Sequence, residues 1–287
     1  MGTYTEFLAG SGRSQNTIAE YQRRLKGWQL FLRQRGKALP DANQRDVKDF
    51  RDELLGEGQS PRTVNVKLST IKSYYDWAVL EEKVEGNPVP NGLHLRFQVT
   101  RIHRLSDEDL VRVLHWFDGM QSNLRAAWYC LYASGARVGE VTVLRRGDVS
   151  LVNGAVYLDI KNAKWGSDRK VPLVDQRAAK IVYDYWREAP INGEPLFRVS
   201  KRTLQAYATA FSEETGISFW CHLLRHTFAA RLLENGVPLT EIQLMLGHKS
   251  LSMTEYYTES ARIDVSRHAP SVLGDNGKRG WQPAAMS

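Results

Sequence analysis

The stretch from Cys221 to Tyr257, CHLLRHTFAARLLENGVPLTEIQLMLGHKSLSMTEYY, brings His222, Arg225, His248 and the pair Tyr256-Tyr257 close together along the chain. An imidazole can move a proton, a guanidinium can hold an oxyanion through forked hydrogen bonds, and a phenol is a latent nucleophile. Leu223, Leu224, Phe228, Leu232 and Leu233 recur at steps of three and four, and Asn235-Gly236 supplies a stop. The spacing therefore predicts a helix from about His222 to Asn235, with His222 and Arg225 on one face. A second short helix is expected to start near Leu239, with Thr240 available as a cap, and to end at Gly247, leaving His248 just past its C-terminus. A third, opened by Ser250 or Ser252, would present Tyr256 and Tyr257. Taken alone, a His and an Arg three apart suit a solvated helix face better than a site. The ordered set HLLRH, LGH and YYT is what singles the stretch out.

A second pairing stands upstream. Asn123 to Ser134 reads as an apolar helix stopped by Gly135, and ARVGEVTVLRRGDV follows, where Arg137 and Glu140 are again three apart. In isolation a structural ion pair at a helix start accounts for them.

With this second motif the chain resembles the tyrosine recombinases, the integrases of the lambda and Xer type. Their first motif, T-G-x-R-x-x-E-x-x-x-L, stands here as Ser134-Gly135-Ala136-Arg137-Val138-Gly139-Glu140 with Leu144 at the matching position, Ser replacing Thr. Their H-x-x-R and L-G-H fall on His222 to Arg225 and Leu246 to His248, and their Tyr, nine residues after that His, falls on Tyr257. The family's hairpin Lys, eight residues before the Pro of V-P-L, falls on Lys164, with Lys161 a near neighbour. On its own, a hairpin Lys reads as a solubilising charge.

The resemblance implies a site-specific DNA recombinase working through a covalent 3′-phosphotyrosine and a Holliday junction, in integration, excision or resolution, without metal, cofactor or ATP. It implies Tyr257 as nucleophile, Arg137, Arg225 and His248 holding the phosphate charge, His222 taking the phenol proton, Lys164 protonating the leaving oxygen, and Glu140 orienting His222 or Arg137. The implied partners are double-stranded DNA with an inverted-repeat core site and three further copies of the chain, a homotetramer on two duplexes. A type IB topoisomerase-like relaxing enzyme and a non-catalytic DNA-binding protein of the same fold stay open as alternatives.

Composition agrees with an anionic partner: over 287 residues, Lys and Arg number 39 against 32 Asp and Glu, a formal charge of +7. A soluble basic protein explains that charge equally well. No run of apolar residues is long enough to span a bilayer and no signal peptide opens the chain, so a cytoplasmic location is expected. Cys130 and Cys221 each sit in a helical pattern without a CxxC partner, which argues against a disulfide framework or a zinc site.

The elements that must position these groups are mostly helical. Residues 14–35 predict a helix capped by Ser14 or Asn16, with Thr17 and Glu20 fitting a capping box; shorter helices follow at Asp46 to Leu55 and from Ser60-Pro61 to about Lys83. Arg62, Lys67 and Lys72 on the last of these, interleaved with Asn65, Ser69, Thr70 and Ser73, suit phosphate and groove-edge contacts, though a solvated face accounts for them nearly as well. From Glu85 to Ile102 the helical period is lost among prolines and glycines, as in a linker. Beyond it come a helix capped by Ser106, strands at Asp148 to Val152 and Ala155 to Ile160 joined by Asn153-Gly154, a third strand at Arg169 to Leu173, and helices at Gln176 to Glu188 and Thr203 to Thr215. The expected fold is predominantly α with a small antiparallel β-sheet: a helical core-binding, SAM-like domain over 1–95, a linker over 96–102, a DNA breaking-rejoining catalytic domain over 103–270 and a flexible tail over 271–287.

Overall fold

The computed structural model describes residues 2–97, 103–161, 167–190 and 193–248, which fall into two compact units, Met1–Val99 and Thr100–Ser287. The first is a bundle of α1 (Tyr4–Gly10), α2 (Gln15–Gln34), α3 (Gln44–Gly56) and α4 (Pro61–Leu80) around Trp28, Phe31, Phe50 and Tyr75. The Trp28 indole donates to the Tyr75 hydroxyl at 3.1 Å, which in turn donates to the Leu39 carbonyl at 2.8 Å, so both buried polar tips are satisfied.

Helix α1 went unread in the sequence because only Tyr4 and Leu8 turn inward over its two turns, too few for a period; a capping box between Thr3 and Glu6 starts it. Ser14 caps α2, which places Thr17 at the third helical position, and Glu20, expected in a capping box with Thr17, pairs with Arg23 and Arg24 instead. Asn43 accepts from the amides of Arg45 and Asp46 and so starts α3 two residues early. Helix α4 opens on Ser60-Pro61 as expected but ends at Leu80, short of Lys83: Glu82 turns left-handed (φ 55°) and the Lys83 amide bonds back to Ala78.

Residues 87–95, linker-like in composition, belong to the first core. Val89 and Leu93 are buried there, the Asn87 amide donates to the Lys72 carbonyl at 3.0 Å, and Ser69 meets His94 at 2.8 Å. Asn65 makes both bonds of a ladder to Leu95, donating to its carbonyl at 2.9 Å and accepting from its amide at 2.8 Å. The prolines and glycines of this stretch break a helix without freeing the chain.

The second unit contains α5 (Asp107–Asp118), α6 (Ser122–Ser134), α7 (Val138–Val141), strands β1 (Val149–Val152), β2 (Ala155–Ile160) and β3 (Arg169–Pro172), then α8 (Gln176–Glu188), α9 (Lys201–Thr215), α10 (Cys221–Glu234) and α11 (Leu239–Leu246). Helix α6 is nearly all apolar because it is buried on most sides, packing against α5, α8 and α10, with Trp128 and Leu131 at the centre of the core. The strands form one antiparallel sheet in the order β1-β2-β3, with Leu158 paired to Val149 on one side and Val171 on the other. At the first hairpin Asn153 and Gly154 both take positive φ (50° and 81°), as a type I′ turn requires. The fold is therefore mostly helical with a small antiparallel sheet. Cys130 and Cys221 are buried free thiols, and among the described residues no helix is long and apolar enough to cross a membrane.

Candidate functional site

Gly135 ends α6 in the left-handed conformation (φ 60°), and that reversal turns the chain directly into Arg137, the N-cap of the one-turn helix α7. The helix brings Glu140 back under Arg137. One carboxylate oxygen of Glu140 accepts from the Arg137 guanidinium at 2.7 Å and the other from the Arg137 amide at 2.8 Å. The same carboxylate accepts a fork from Arg169 on β3, with contacts of 2.9 Å and 3.3 Å. Burial alone would raise the Glu140 pKa, but the bonds and charge of Arg169, then those of Arg137, outweigh it and hold the carboxyl below the usual glutamate value. The structural ion pair readable in the sequence is thus formed, while the Arg137 side chain keeps 27% of its surface exposed.

Arg225 comes from α10 and is only 1% exposed. Its Nη1 donates to the Gly135 carbonyl at 2.8 Å and its Nη2 to the Leu246 carbonyl at 2.7 Å. Both carbonyls close a helix, α6 and α11, where the helix dipole leaves partial negative charge, so the buried cation rests on two helix ends. Gly135 must be glycine to permit this: a Cβ there would overlap the Phe228 ring of α10.

Helix α11 delivers His248. Pro238 rather than Thr240 takes the N-cap position, without a side-chain bond, and Gly247 closes the helix left-handed (φ 65°) as expected. A Cβ on Gly247 would lie 2.9 Å from Nη1 of Arg169, whose Nε donates to the Met245 carbonyl at 2.6 Å. His248 lies within the fields of Arg225, Arg137, Arg169 and His222; with burial as the larger cause, they push its imidazole pKa down to about 3. His222, exposed in the first turn of α10, is also lowered, by desolvation and then by Arg225 and Arg137. The His226 ring meets it edge-on at 4.6 Å between centroids and is depressed to about 4 by burial and then by His222 and Arg225. All three imidazoles are therefore neutral at pH 7.

Of the residues singled out in the sequence, Arg137, Glu140, His222, Arg225 and His248 gather at one place. Lys164, Tyr256 and Tyr257 lie outside the described residues. Lys161, the neighbour of Lys164, is exposed and bridges Asp148 at 2.8 Å and Asp159 at 3.3 Å. On α4, Arg62 is exposed, Lys67 is half-buried with its ammonium pKa lowered by burial, and Lys72 pairs with Asp76 at 3.3 Å. The small polar residues among them are bonded within the first unit: besides the bonds of Asn65 and of the exposed Ser69, buried Thr70 donates to the Val66 carbonyl and half-buried Ser73 accepts from the Tyr4 hydroxyl. Arg169 and His226 escaped the sequence reading. The strand alternation held a signal for the first, since Arg169 shares a face of β3 with buried Val171. Among the described residues no group of three or more His, Cys, Asp or Glu is placed to hold a metal ion.

Residues 103–262 match the profile of the phage integrase family, and residues 2–82 that of the phage integrase N-terminal SAM-like domain. The tyrosine recombinase XerD of Ralstonia nicotianae is 30% identical over 274 residues, covering 88% of this chain and 86% of the relative. XerA of Pyrococcus furiosus is 27% identical over 264 residues, covering 89% and 87%. A lambda integrase tetramer bound to a Holliday junction shares the fold with a TM-score of 0.69 at 22% identity, over 88% of this chain and 74% of that one. With Arg137, the HLLRH segment and Gly247-His248 meeting at one site inside the matched region, the chain belongs to the phage integrase family, the tyrosine-type site-specific recombinases.

Proposed function

We propose that the site holds a DNA phosphodiester between Arg137, Arg225 and His248 while the phenol oxygen of Tyr257 attacks phosphorus. The bond from phosphorus to the 5′-oxygen breaks, leaving a 3′-phosphotyrosine and a 5′-hydroxyl end; Lys164 supplies the proton to the departing oxygen and His222 takes the phenol proton. Rejoining is the same step reversed, with a 5′-hydroxyl of another strand as nucleophile, so the phosphodiester energy stays in the protein link and no ATP is needed.

The observation that carries this reading is the setting of Arg225. A buried guanidinium fixed on two helix ends beside Arg137 and His248 is preorganised for charge that grows on non-bridging oxygens. The depressed pKa of His222 supports its role, since a neutral imidazole can accept a proton. His248, also neutral, would donate a single N–H to the phosphate.

Exchange between strands implies a tetramer on two duplexes, a core site of inverted repeats, a four-way junction between the two rounds of cleavage, and a place of work on cytoplasmic, nucleoid DNA. Lambda integrase, solved as a tetramer on such a junction, supports that assembly.

The test is a duplex carrying a site selected from a random library, nicked so that the short 5′-hydroxyl fragment diffuses away and the adduct is trapped. On the helix expected from the sequence, neighbours would point about 100° apart, so Tyr256 and Tyr257 would not serve one phosphate alike. Tyr257→Phe is expected to give no adduct on a denaturing gel while Tyr256→Phe still does; the opposite pattern would move the nucleophile. Relaxation of supercoiled plasmid without any site requirement would point to a topoisomerase.

A further inference from the structure

Arg169 touches more of the site than any residue the chemistry above employs. Its side chain is 7% exposed, and its donors run in three directions: to both Glu140 oxygens, to the Met245 carbonyl at the end of α11, and to the Ser167 carbonyl at 3.2 Å. Each contact leads to a group with a proposed task. Glu140 holds Arg137 by both its amide and its guanidinium. Met245 precedes the turn at Gly247 that sets His248, and Gly247 packs directly on the Arg169 guanidinium. Ser167 opens the return from the β2–β3 connection into β3. Only a guanidinium, with five N–H donors in a planar fork, can supply the four bonds made here to a carboxylate and two carbonyls.

We infer that Arg169 is a positioning residue for the cleavage step, locking Arg137, through Glu140, and the His248 turn into one geometry. This rests on the phosphodiester reading above. Four of the five Arg169 donors are spent on protein acceptors, and it acts by fixing where two phosphate-holding groups stand. A displacement of about 1 Å at such groups costs roughly 10²-fold in rate.

The experiment compares wild type, Arg169→Ala, Arg169→Lys and Glu140→Gln on the same nicked duplex, reading duplex affinity, single-turnover adduct formation against pH, and thermal unfolding. Arg169→Lys keeps the charge beside Glu140, but one ammonium cannot span both Glu140 and Met245. It is expected to stay folded, bind the duplex as wild type does, and form adduct about 10²-fold more slowly. In Arg169→Ala the Glu140 carboxyl loses its main stabilising partner and titrates at higher pH, so a Glu140 step moves up into the acidic limb that protonation of His222 already gives; Glu140→Gln lacks that step. A role in stability alone would lower the unfolding temperature without moving that step or slowing the folded Lys variant.

The inference is overturned if Arg169→Lys forms adduct at the wild-type rate, if the Glu140 step stays put in a folded Arg169→Ala protein, or if every Arg169 variant unfolds, which would assign the residue to stability. A wild-type protein giving no adduct would instead remove the phosphodiester reading, and this inference with it.

Discussion

Gly135 carries two demands at once. Its left-handed φ of 60° strains any L-residue, and a methyl at its Cβ would run into the Phe228 ring. Its carbonyl is also one of the two seats of Arg225, so displacing it moves the guanidinium. Gly135→Ala is therefore expected to cost on the order of 3 kcal/mol, from the backbone penalty plus overpacking, and to slow cleavage with it. Denaturant unfolding measures this: Gly135→Ala combined with Phe228→Leu should recover the packing part and leave the backbone part, and a Gly135→Ala protein as stable as wild type would mean that the backbone can yield. The spacing of the motif residues was legible in the sequence because each motif is local, one helical turn or one cap. The partners of those residues were not. Arg169 reaches Glu140 across 29 positions, and nothing in a strand of four residues states what its inward Arg will meet. Sequence also left open whether Arg137 and Glu140 form a structural ion pair or serve the chemistry; the geometry supports both at once, since Glu140 anchors Arg137 by two bonds while part of the guanidinium stays exposed.

Among the elements, α4 is used on more sides than its sequence suggests. Its apolar face builds the first core, and its polar flank holds residues 87–95 through Asn65, Ser69 and the Lys72 carbonyl. Of the small polar residues on this helix, Asn65 and Ser69 thus fasten residues 87–95, and Arg62 stands exposed on the same helix. Asn65→Ala leaves the Leu95 amide and carbonyl without their side-chain partner and is expected to destabilise the first unit by about 1 to 2 kcal/mol. Differential hydrogen exchange would place the loss in 87–95 and α4; unchanged protection there would show that the two bonds carry no net stability. Helices with a cap and a long period were legible from their signals, as at Ser60-Pro61 and Ser106. Where tertiary contact replaces such a signal the reading thinned: α1, with two inward residues, was missed, and α11 was read at its start and end but not at its cap, which carries no side-chain bond.

At the scale of the whole chain the two units answer differently to acid. The depressed imidazoles His222, His226 and His248 all belong to the second. An unfolded histidine takes a proton near pH 6.5, whereas in the folded unit His226 does so at about 4 and His248 at about 3. Their neutral burial therefore carries no penalty above pH 6.5 and costs progressively more stability as pH falls from there toward 3 or 4. In the first unit Asp46 is held below its ordinary value of 3.8, its pairing with Lys37 and the Asn43 cap outweighing burial, so that contribution is lost only in stronger acid. Near pH 5 the second unit should melt well below its neutral-pH temperature and the first should hardly move, which calorimetry on the whole chain can resolve; parallel losses would contradict the assignment of the neutral imidazoles. The two-unit division was legible because the helical period fails between two long periodic blocks. The packing of 87–95 back onto α4 was not, since it depends on side-chain bonds between distant positions. The seating of Arg225 has a consequence for lineages. Because it ties the ends of α6 and α11, a descendant that had lost strand cleavage would still be selected to keep this arginine for folding. Decay of activity in such a branch would show first at the exposed His222, whose loss leaves no buried carbonyl stranded.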